Sequence, residues 1–353
     1  MQQIKAQQLK GIVRTIFLAA RTPEDIADYV AGSLVESNLM GHDSHGVIRV
    51  PRYVEQIEKG DLQPAARPEV AKETATTAVV KGNWAFGQLT AKFGAEVAIR
   101  KAKASHVAAV GLVQTNHVGR LGEFTAMMAA AGLIGIMTTG GWRAPIGGVA
   151  PYGGAGRALG TNPYSFAVPT GRHDIVLVDF ATSVLAEGKL QVARAKGAPL
   201  PPGVILDKHG NPSTNAEDFY AGGVMLPFAA HKGYALSLIA DLLGASLPGA
   251  DAFVDDPALH RIFGPSGSLL IALDVEAFRP LAEFKAVVDE RLGEIKDVPP
   301  APGFAEVLIP GEPELRTKAE REREGIALPD NTWHALVETA RKLGVDVSAI
   351  AGL

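Results

Sequence analysis

The sequence predicts an α/β protein in which a central α/β region is flanked by helical segments at both chain ends. Between residues 71 and 313, short apolar runs typical of buried strands alternate with longer segments of helical periodicity. Residues 1–70 and 314–353 instead carry helical patterns. We expect these two ends to pack as one helical domain beside the α/β region, which holds one or two subdomains.

The N-terminal segment contains two predicted helices. The first follows the start signal Thr22-Pro23-Glu24-Asp25, in which an N-cap residue precedes a proline and two acids. Ile26, Val30 and Leu34 then recur every four residues as a stripe that faces a core. The second helix is predicted over residues 44–59, between residues of N-cap type and a glycine stop.

The α/β region and the C-terminal segment supply the remaining elements. Predicted strands lie at 78–81, 107–113, 133–139, 164–168, 175–180, 269–274 and 307–309. Predicted helices lie at 91–105, 121–131, 184–196, 234–243, 281–292 and 333–343. The alternating charges of residues 314–325 are typical of a solvated helix face. The most apolar helical run, Tyr234 to Leu247, carries Asp241 and is too short for a membrane span, so a buried core helix is expected.

Composition narrows the class of protein. The net charge of −4 gives no electrostatic reason to expect binding to nucleic acid or to an anionic membrane. The chain has no cysteine, which excludes a disulfide framework, thiol catalysis and thiolate-bound zinc, and which fits a reducing cytoplasm. The polar first residues do not resemble a signal peptide. A cytoplasmic protein is therefore expected.

Residues 41–53 concentrate polar chemistry in a chain that is 47% hydrophobic. On a helix that begins near Ser44, His45 and Arg49 lie four residues apart on one face. The imidazole can exchange a proton with a substrate oxygen, and the guanidinium can hold a carboxylate through two hydrogen bonds. The pair favours redox chemistry on a hydroxy or oxo acid. On spacing alone, an equally good interpretation is that the segment only caps a surface helix.

Other interpretations of the same segment are weaker. His42 and His45 are three residues apart without the H-E-x-x-H pattern, so no metal site is predicted. A serine hydrolase is disfavoured because sequence neighbours seldom form a triad and no G-x-S-x-G elbow occurs. A catalytically idle ligand-binding or scaffold protein stays an alternative, although it leaves the polar segment unexplained.

The sequence lacks a Rossmann dinucleotide fingerprint. The glycine-rich stretch Gly154–Gly160 has the wrong spacing, and Pro163 blocks a following helix. Residues 116–120 and 231–233 each open a predicted helix and could instead present backbone N–H groups to a phosphate. Asp179 ends a strand and could contact a ribose or a nicotinamide. Each of these also has an ordinary interpretation as a helix start or a strand-end turn.

Four motifs in this order resemble a known family over nearly the whole chain. Gly41–Gly46, Leu159–Pro163, Asp179–Ser183 and His231–Leu236 are similar to the malate/L-lactate dehydrogenase family that is unrelated to the Rossmann enzymes. Residues 199–203, 310–312 and 321–323 are most similar to its hydroxycarboxylate dehydrogenase B branch. The resemblance implies a non-Rossmann α/β fold with a mixed sheet and a helical domain built from both chain ends. It also implies a homodimer with active sites near the interface.

The resemblance further implies hydride transfer between NAD or NADP and a 2-hydroxy or 2-oxo acid of the malate or lactate type. His45 would protonate the oxo group, Ser44 would polarise His45, Arg49 would hold the substrate carboxylate, and Thr161 would contact the substrate. Where the imino-acid reductase branch has an acid, this chain has Lys189, which favours an oxygen substrate over an imine, although a reductase of another C=O or C=N acid stays an alternative. The residues implied for the cofactor are His45, His117, Val118, Gly119, Val178, Asp179, Phe180, Ala181, Thr182, His231, Lys232, Gly311, Glu312, Pro313 and Glu314.

Overall fold

The computed structural model describes residues 2–141, 147–172, 175–253 and 265–347. The helices in these ranges are α1 (Ala6–Ala19), α2 (Glu24–Leu39), α3 (Val50–Glu58), α4 (Gly87–Ser105), α5 (Gly122–Ala130), α6 (Glu187–Lys196), α7 (Ala216–Tyr220), α8 (His231–Asp241), α9 (Leu281–Lys296), α10 (Glu312–Glu324) and α11 (Asp330–Lys342). The strands are β1 (Gln2–Ile4), β2 (Glu69–Glu73), β3 (Thr77–Lys81), β4 (Val107–Val113), β5 (Leu133–Gly140), β6 (Tyr164–Val168), β7 (Val176–Phe180), β8 (Ile205–Leu206), β9 (Pro212–Ser213), β10 (Val224–Met225), β11 (Gly267–Asp274) and β12 (Ile326–Leu328).

A mixed seven-stranded sheet organises the α/β region, in the order β2-β3-β4-β11-β5-β6-β7. Strands β3 and β4 are parallel, and the other neighbours are antiparallel. The core beneath the sheet consists of apolar side chains, mainly from the strands and from α4 and α5. The predicted mixed α/β architecture is confirmed, and six of the predicted strands agree with the structure to within two residues.

The prediction of a strand at 307–309 is wrong. Pro310 directly follows this segment, and proline cannot donate to a strand ladder. A single backbone hydrogen bond, from the Leu177 N–H to the Pro310 carbonyl, joins its end to β7. Sequence reasoning also missed β1, β2 and β12, which are short or carry charged residues.

The two ends of the chain share one apolar core. Side chains of α1 and α2 pack with Ile326 and Leu328 of β12 and with Leu336 and Ala340 of α11. Strand β1 pairs with β12 antiparallel, so the first and last parts of the described chain are also joined by backbone hydrogen bonds. The division at residues 70 and 314 stays a prediction.

The continuous helix predicted over residues 44–59 is wrong. Residues 43–45 and 47–49 form separate single 3₁₀ turns, and α3 begins only at Val50. The side chain of Asn38 causes the interruption: its Oδ1 accepts the Val47 N–H at 2.9 Å and lies so close to Gly46 that a Cβ there would be 2.2 Å away. His45 and Arg49 are therefore not related by a regular helical turn.

The burial expected for residues 234–247 is also wrong for the single chain. Helix α8 continues into a π-helical turn, Leu242–Ser246, and it packs inward mainly through the small residues Gly233, Ser237 and Ala240. Its large apolar side chains are exposed, including Ile239 at 48% and Leu242 at 45%. None of the described helices combines the length and the apolar character that crossing a bilayer requires.

Candidate active site

A cavity of about 840 Å³ lies where the helical region meets the α/β region. Its walls come from the polar segment 41–53, from residues 115–121 after β4, from the end of β7, from residues 183–189 and from the start of α10. The predicted site residues that it brings together are Ser44, His45, Arg49, His117, Val118, Gly119, Thr161, Asp179, Phe180, Ala181, Lys189, Pro313 and Glu314.

The other predicted site residues lie outside this cavity wall. Thr182 is buried and donates to the carbonyls of Thr161 and Asn162 at 2.9 and 3.0 Å, so it holds the loop that carries Thr161. Val178 is a β7 residue, and Gly311 and Glu312 form the start of α10. Glu312 accepts hydrogen bonds from Lys296 and from the Ile309 N–H, which fix that start.

His231 and Lys232 are exposed at the start of α8. The His231 ring contacts the Tyr152 ring with centroids 5.8 Å apart. Within the single chain, these two residues are thus associated with the exposed apolar face of α8 and not with the cavity wall.

Ser44 connects His45 to Arg49. Its Oγ lies 3.0 Å from His45 Nδ1, and its carbonyl accepts a hydrogen bond from Arg49 Nε at 2.6 Å. Because the first contact uses Nδ1 of the His45 imidazole, Nε2 can contact another group. The second leaves both terminal Nη groups of Arg49 without a protein acceptor among the described residues. One residue therefore positions an imidazole and a guanidinium on the wall of the same cavity.

His117 is held against His45 from a different element. The two imidazoles are stacked, with centroids 5.5 Å apart and an interplanar angle of 21°. The Tyr53 hydroxyl lies 2.7 Å from His117 Nδ1 and accepts a hydrogen bond from Gln88 Nε2 at 2.9 Å. The Tyr53 hydroxyl, itself fixed by Gln88, therefore holds the His117 ring in place through Nδ1.

Both imidazoles are neutral at pH 7 in the free protein. Burial lowers the pKa of His45 to about 3, with a further decrease from the positive charge of Arg49. Burial and Arg49 likewise hold the pKa of His117 well below its usual range. His45 at rest is therefore a proton acceptor, whereas the predicted role as proton donor requires it to gain a proton first.

The cavity has a second polar cluster at the end that faces α5. Asp179 accepts the Gly122 N–H at 2.7 Å, and burial raises the pKa of the Asp179 carboxyl to about 6. Arg120 is only 4% exposed, and its Nε and Nη1 have no hydrogen-bond partner in the described part of the chain. Glu314 Oε1 lies 3.7 Å from His42 Nε2.

This second cluster fits a nicotinamide dinucleotide. Unpaired N–H groups on a buried guanidinium at the start of a helix can donate hydrogen bonds to phosphate oxygens. Asp179 offers a carboxyl oxygen to a ribose or a carboxamide. The volume of the cavity also exceeds what a small acid alone fills.

The charged helix α10 is more than a solvated surface. Arg321 contacts both carboxylate oxygens of Asp43, at 2.7 and 3.1 Å, and also donates to the Asn38 carbonyl. Lys318 pairs with Glu36 of α2 at 2.7 Å. The solvated-face interpretation of residues 314–325 is therefore correct for only part of the helix. Sequence reasoning could not find these contacts, because the partners are about 280 positions apart in the chain.

The site has room for a small acid beside a larger ligand such as a dinucleotide. A proton-accepting imidazole and a guanidinium with two available Nη groups share one cavity wall, and a separate polar cluster fits the cofactor. Within the described ranges, no group of three or more metal-ligating side chains occurs.

Comparisons with known proteins identify the family. The sequence pattern of the malate/L-lactate dehydrogenase family matches residues 4–337. Malate/(S)-sulfolactate dehydrogenase of Methanothermus fervidus is 35% identical, across 98% of this chain and 99% of the relative. Hydroxycarboxylate dehydrogenase B of Escherichia coli K12 is 34% identical, across 96% of this chain and 94% of the relative. The solved structure of sulfolactate dehydrogenase from Methanocaldococcus jannaschii is similar with a TM-score of 0.87 and 34% identity, across 99% of each chain.

The chain belongs to the malate/L-lactate dehydrogenase family. It is accordingly an oxidoreductase of 2-hydroxy acids that depends on NAD or NADP. The resemblance, fold and reaction class expected from the sequence are confirmed.

Proposed function

We propose that the chain interconverts a 2-hydroxy acid and the corresponding 2-oxo acid with His45 as the acid–base group and Arg49 as the carboxylate ligand. One observation carries this assignment: Ser44 touches both side chains and places them on the wall of one cavity. Thr161 and Lys189 line the same cavity and complete the substrate side.

In the oxidation direction, neutral His45 is already in the required state. In the tautomer whose Nδ1–H donates to Ser44 Oγ, the lone pair on Nε2 can take the proton of the substrate hydroxyl. The two free Nη groups of Arg49 hold the substrate carboxylate in a planar, two-point contact. NAD or NADP supplies the chemistry of accepting the hydride. The chain contributes orientation, which is a large part of the rate gain when two reactants must meet at fixed geometry.

In the reduction direction, His45 must first be protonated. The bound carboxylate neutralises the Arg49 charge that helps to lower the His45 pKa, so substrate binding itself favours protonation. A protonated His45 then donates to the oxygen that develops negative charge. His117 stacks on His45 and so lies beside the same region.

The cofactor side is formed by His117–Gly119, Arg120, Asp179–Ala181 and Pro313–Glu314. The buried donors of Arg120 offer a contact to phosphate oxygens, and Glu314 and Asp179 offer acceptors to hydroxyl or amide groups. NAD and NADP both satisfy these contacts.

The absence of cysteine supports a cytoplasmic protein, and the net charge of −4 gives no support for nucleic-acid binding.

We propose a homodimer in which a second copy covers the exposed face of α8. Ile239, Leu242 and Leu247 are 48%, 45% and 65% exposed, a cluster of apolar surface that monomeric proteins rarely leave in water. His231 and Lys232 begin this helix, so a dimer would bring them toward an interface. The molar mass measured by light scattering should be twice that of the chain, and Ile239→Asp should reduce it to one chain.

A cofactor-oxidation assay tests the reaction. NADH or NADPH is mixed with a panel of 2-oxo acids, and the absorbance at 340 nm is followed with and without the protein. Loss of absorbance with at least one pair is the expected result. Measurable cofactor binding without turnover on any acid would favour the catalytically idle alternative.

A further inference from the structure

We propose that Asn162 is a positioning residue that holds Thr161 in place for the substrate. Asn162 belongs to the loop of residues 159–163, the substrate loop, which connects the glycine-rich stretch to β6. Its side chain connects this loop to helix α8 and does not itself touch the substrate. The inference rests on the proposed function, in which Thr161 contacts the 2-hydroxy or 2-oxo acid.

The Asn162 side chain faces away from the cavity that its neighbours line. Among the described residues, the cavity wall includes Gly160, Thr161 and Pro163 but not Asn162. Asn162 is only 1% exposed, and its Nδ2 donates a hydrogen bond to the Ser237 carbonyl of α8 at 2.9 Å. The residue next to Thr161 is therefore held on the side of the loop that faces α8.

The backbone conformation of Asn162 allows this arrangement. Its φ of 31° lies in the left-handed region, which asparagine adopts more readily than most residues with a side chain. The carbonyls of Thr161 and Asn162 both lie near the Thr182 hydroxyl, at 2.9 and 3.0 Å. The Thr182 N–H also donates to the Thr161 carbonyl at 2.8 Å. Thr161 thus has one support from the segment after β7 and a second support, through Asn162, from α8.

Helix α8 is a firm support for the loop. Ser237 is fully buried on the inner face of the helix, which packs through small residues. The Tyr164 hydroxyl donates to the neighbouring Leu236 carbonyl at 3.0 Å, so two side chains from residues 162–164 contact two consecutive carbonyls of the helix. A site supported by a helix keeps its geometry more precisely than a site on an unsupported loop. The contact between Asn162 and Ser237 therefore limits the movement of Thr161.

Stability alone does not account for Asn162. Its Oδ1 and the Oγ of Ser237 have no hydrogen-bond partner in the described part of the chain. A buried polar atom without a partner costs free energy, which the single hydrogen bond from Nδ2 offsets only in part. The left-handed backbone adds a further cost. Local costs of this kind are typical of functional sites, and the orientation of Thr161 is the role that explains them.

Steady-state kinetics of Asn162→Gly and Asn162→Ala test the inference, with a 2-oxo acid that the wild type reduces. Both variants lose the hydrogen bond to α8, and the glycine variant adopts the left-handed backbone without strain. In both, kcat/KM for the acid should fall about 10-fold to 100-fold, because a misplacement of about 1 Å can cost two orders of magnitude. The cofactor Kd, measured by fluorescence quenching, should stay at the wild-type value.

Tyr164→Phe is the matched control, because it removes the other side-chain hydrogen bond to α8 and keeps Asn162. Its kcat/KM should match the wild type even where urea unfolding shows a loss of stability. A double-mutant cycle adds a readout that a purely structural role would not change. Because Asn162 acts through Thr161, Asn162→Gly should cause almost no further loss of kcat/KM when it is added to Thr161→Ala.

Wild-type kcat/KM in the Asn162 variants would overturn the inference and leave the proposed function intact. A raised cofactor Kd alone, losses that multiply fully in the double variant, or an equal loss in Tyr164→Phe would also overturn it, because Asn162 would then serve the cofactor or the fold. Failure of both Asn162 variants to fold, beside a folded Tyr164→Phe, has the same meaning. Absence of turnover by the wild type on every 2-oxo acid would remove the proposed function and this inference together.

Discussion

The imidazole rings of His45 and His117 lie nearly parallel, with centroids 5.5 Å apart and Arg49 beside them. Three groups that can carry positive charge cannot all be charged in so small a buried volume. Arg49 keeps its charge, because a guanidinium is not deprotonated in proteins, and both imidazoles stay neutral. The site can therefore hold an anion and accept a proton at once.

Replacement of His45 by alanine should lower kcat by about two orders of magnitude or more, in line with general acid–base contributions. Cofactor binding should persist, because Arg120 and Asp179 lie at the other end of the cavity. Stopped-flow absorbance gives the rate, and quenching of protein fluorescence gives the cofactor Kd. Near-normal turnover in the variant would remove His45 from its role.

Replacement of Arg49 by lysine should mainly raise the substrate KM. A lysine keeps the charge but cannot form the planar two-point contact with a carboxylate, and it also loses the bond to the Ser44 carbonyl. Initial rates over a range of substrate concentrations separate KM from kcat. An unchanged KM would mean that a different residue holds the carboxylate.

Arg321→Met should lower kcat/KM although Arg321 lies outside the cavity wall. Its contacts to Asp43 and to the Asn38 carbonyl hold the turn that carries Ser44 and His45. The ion pair is partly exposed, so its loss should destabilise the fold by only about 1 kcal/mol. Steady-state kinetics measure kcat/KM, and urea unfolding measures the free energy of unfolding.

Arg323→Met provides the control for this prediction, because Arg323 is exposed and pairs with its neighbour Glu324. Its activity should match the wild type. Two variants with identical kinetics would show that α10 does not position the catalytic turn.

Ala230→Gly should stabilise the protein by about 1 kcal/mol. Ala230 precedes α8 with φ 55° and ψ −123°, a conformation that is costly for a residue with a Cβ. Glycine adopts it without that cost, at a smaller entropic penalty. Thermal unfolding should show a raised Tm, whereas Ala286→Gly on the exposed face of α9 should lower it. A lowered Tm in both variants would contradict the strain assigned to residue 230.

The free energy of unfolding should fall as the pH decreases below about 6.5. The unfolded chain binds protons on its histidines near that pH, whereas folded His45 resists protonation until about pH 3 and His117 shifts in the same direction. The unfolded state then binds more protons, and acid favours it. Each group contributes at most about 1.4 kcal/mol per pH unit.

The Asp179 carboxyl changes the free energy of unfolding in the opposite direction as the pH falls. Its folded pKa of about 6 lies above the usual 3.8, so the folded state binds the additional proton between these two values. His45→Gln should therefore flatten the acid side of a stability profile measured by urea unfolding between pH 4 and 7. An unchanged slope would mean that His45 is protonated in the folded protein.

The sequence predicted the sheet well because its strands are buried on one or both faces and read as apolar runs. Val107–Val113 and Leu133–Gly140 are examples. It failed at residues 44–59, where local capping signals favoured one helix. The decisive contact comes from Asn38, whose side chain replaces a backbone hydrogen-bond partner for Val47. The periodicity of the sequence does not reveal such a tertiary contact.

The candidate site was predictable only in part. His45 and Arg49 stand out as titratable groups in one short segment, and the family motifs add residues such as Asp179. Tyr53 and Gln88 orient His117, yet in the sequence they read as ordinary polar residues of two separate helices. The exposure of α8 was missed because an apolar helix has the same pattern whether it faces its own core or another chain.

A crystal structure with NADH and oxamate, an unreactive analogue of a 2-oxo acid, tests the central claim most directly. The account predicts that the oxamate carboxylate accepts hydrogen bonds from both Nη groups of Arg49. It also predicts that the amide oxygen, which replaces the reacting oxygen, lies about 2.6–3.2 Å from His45 Nε2. An analogue bound with its carboxylate away from Arg49, or with His45 out of reach of that oxygen, would contradict it.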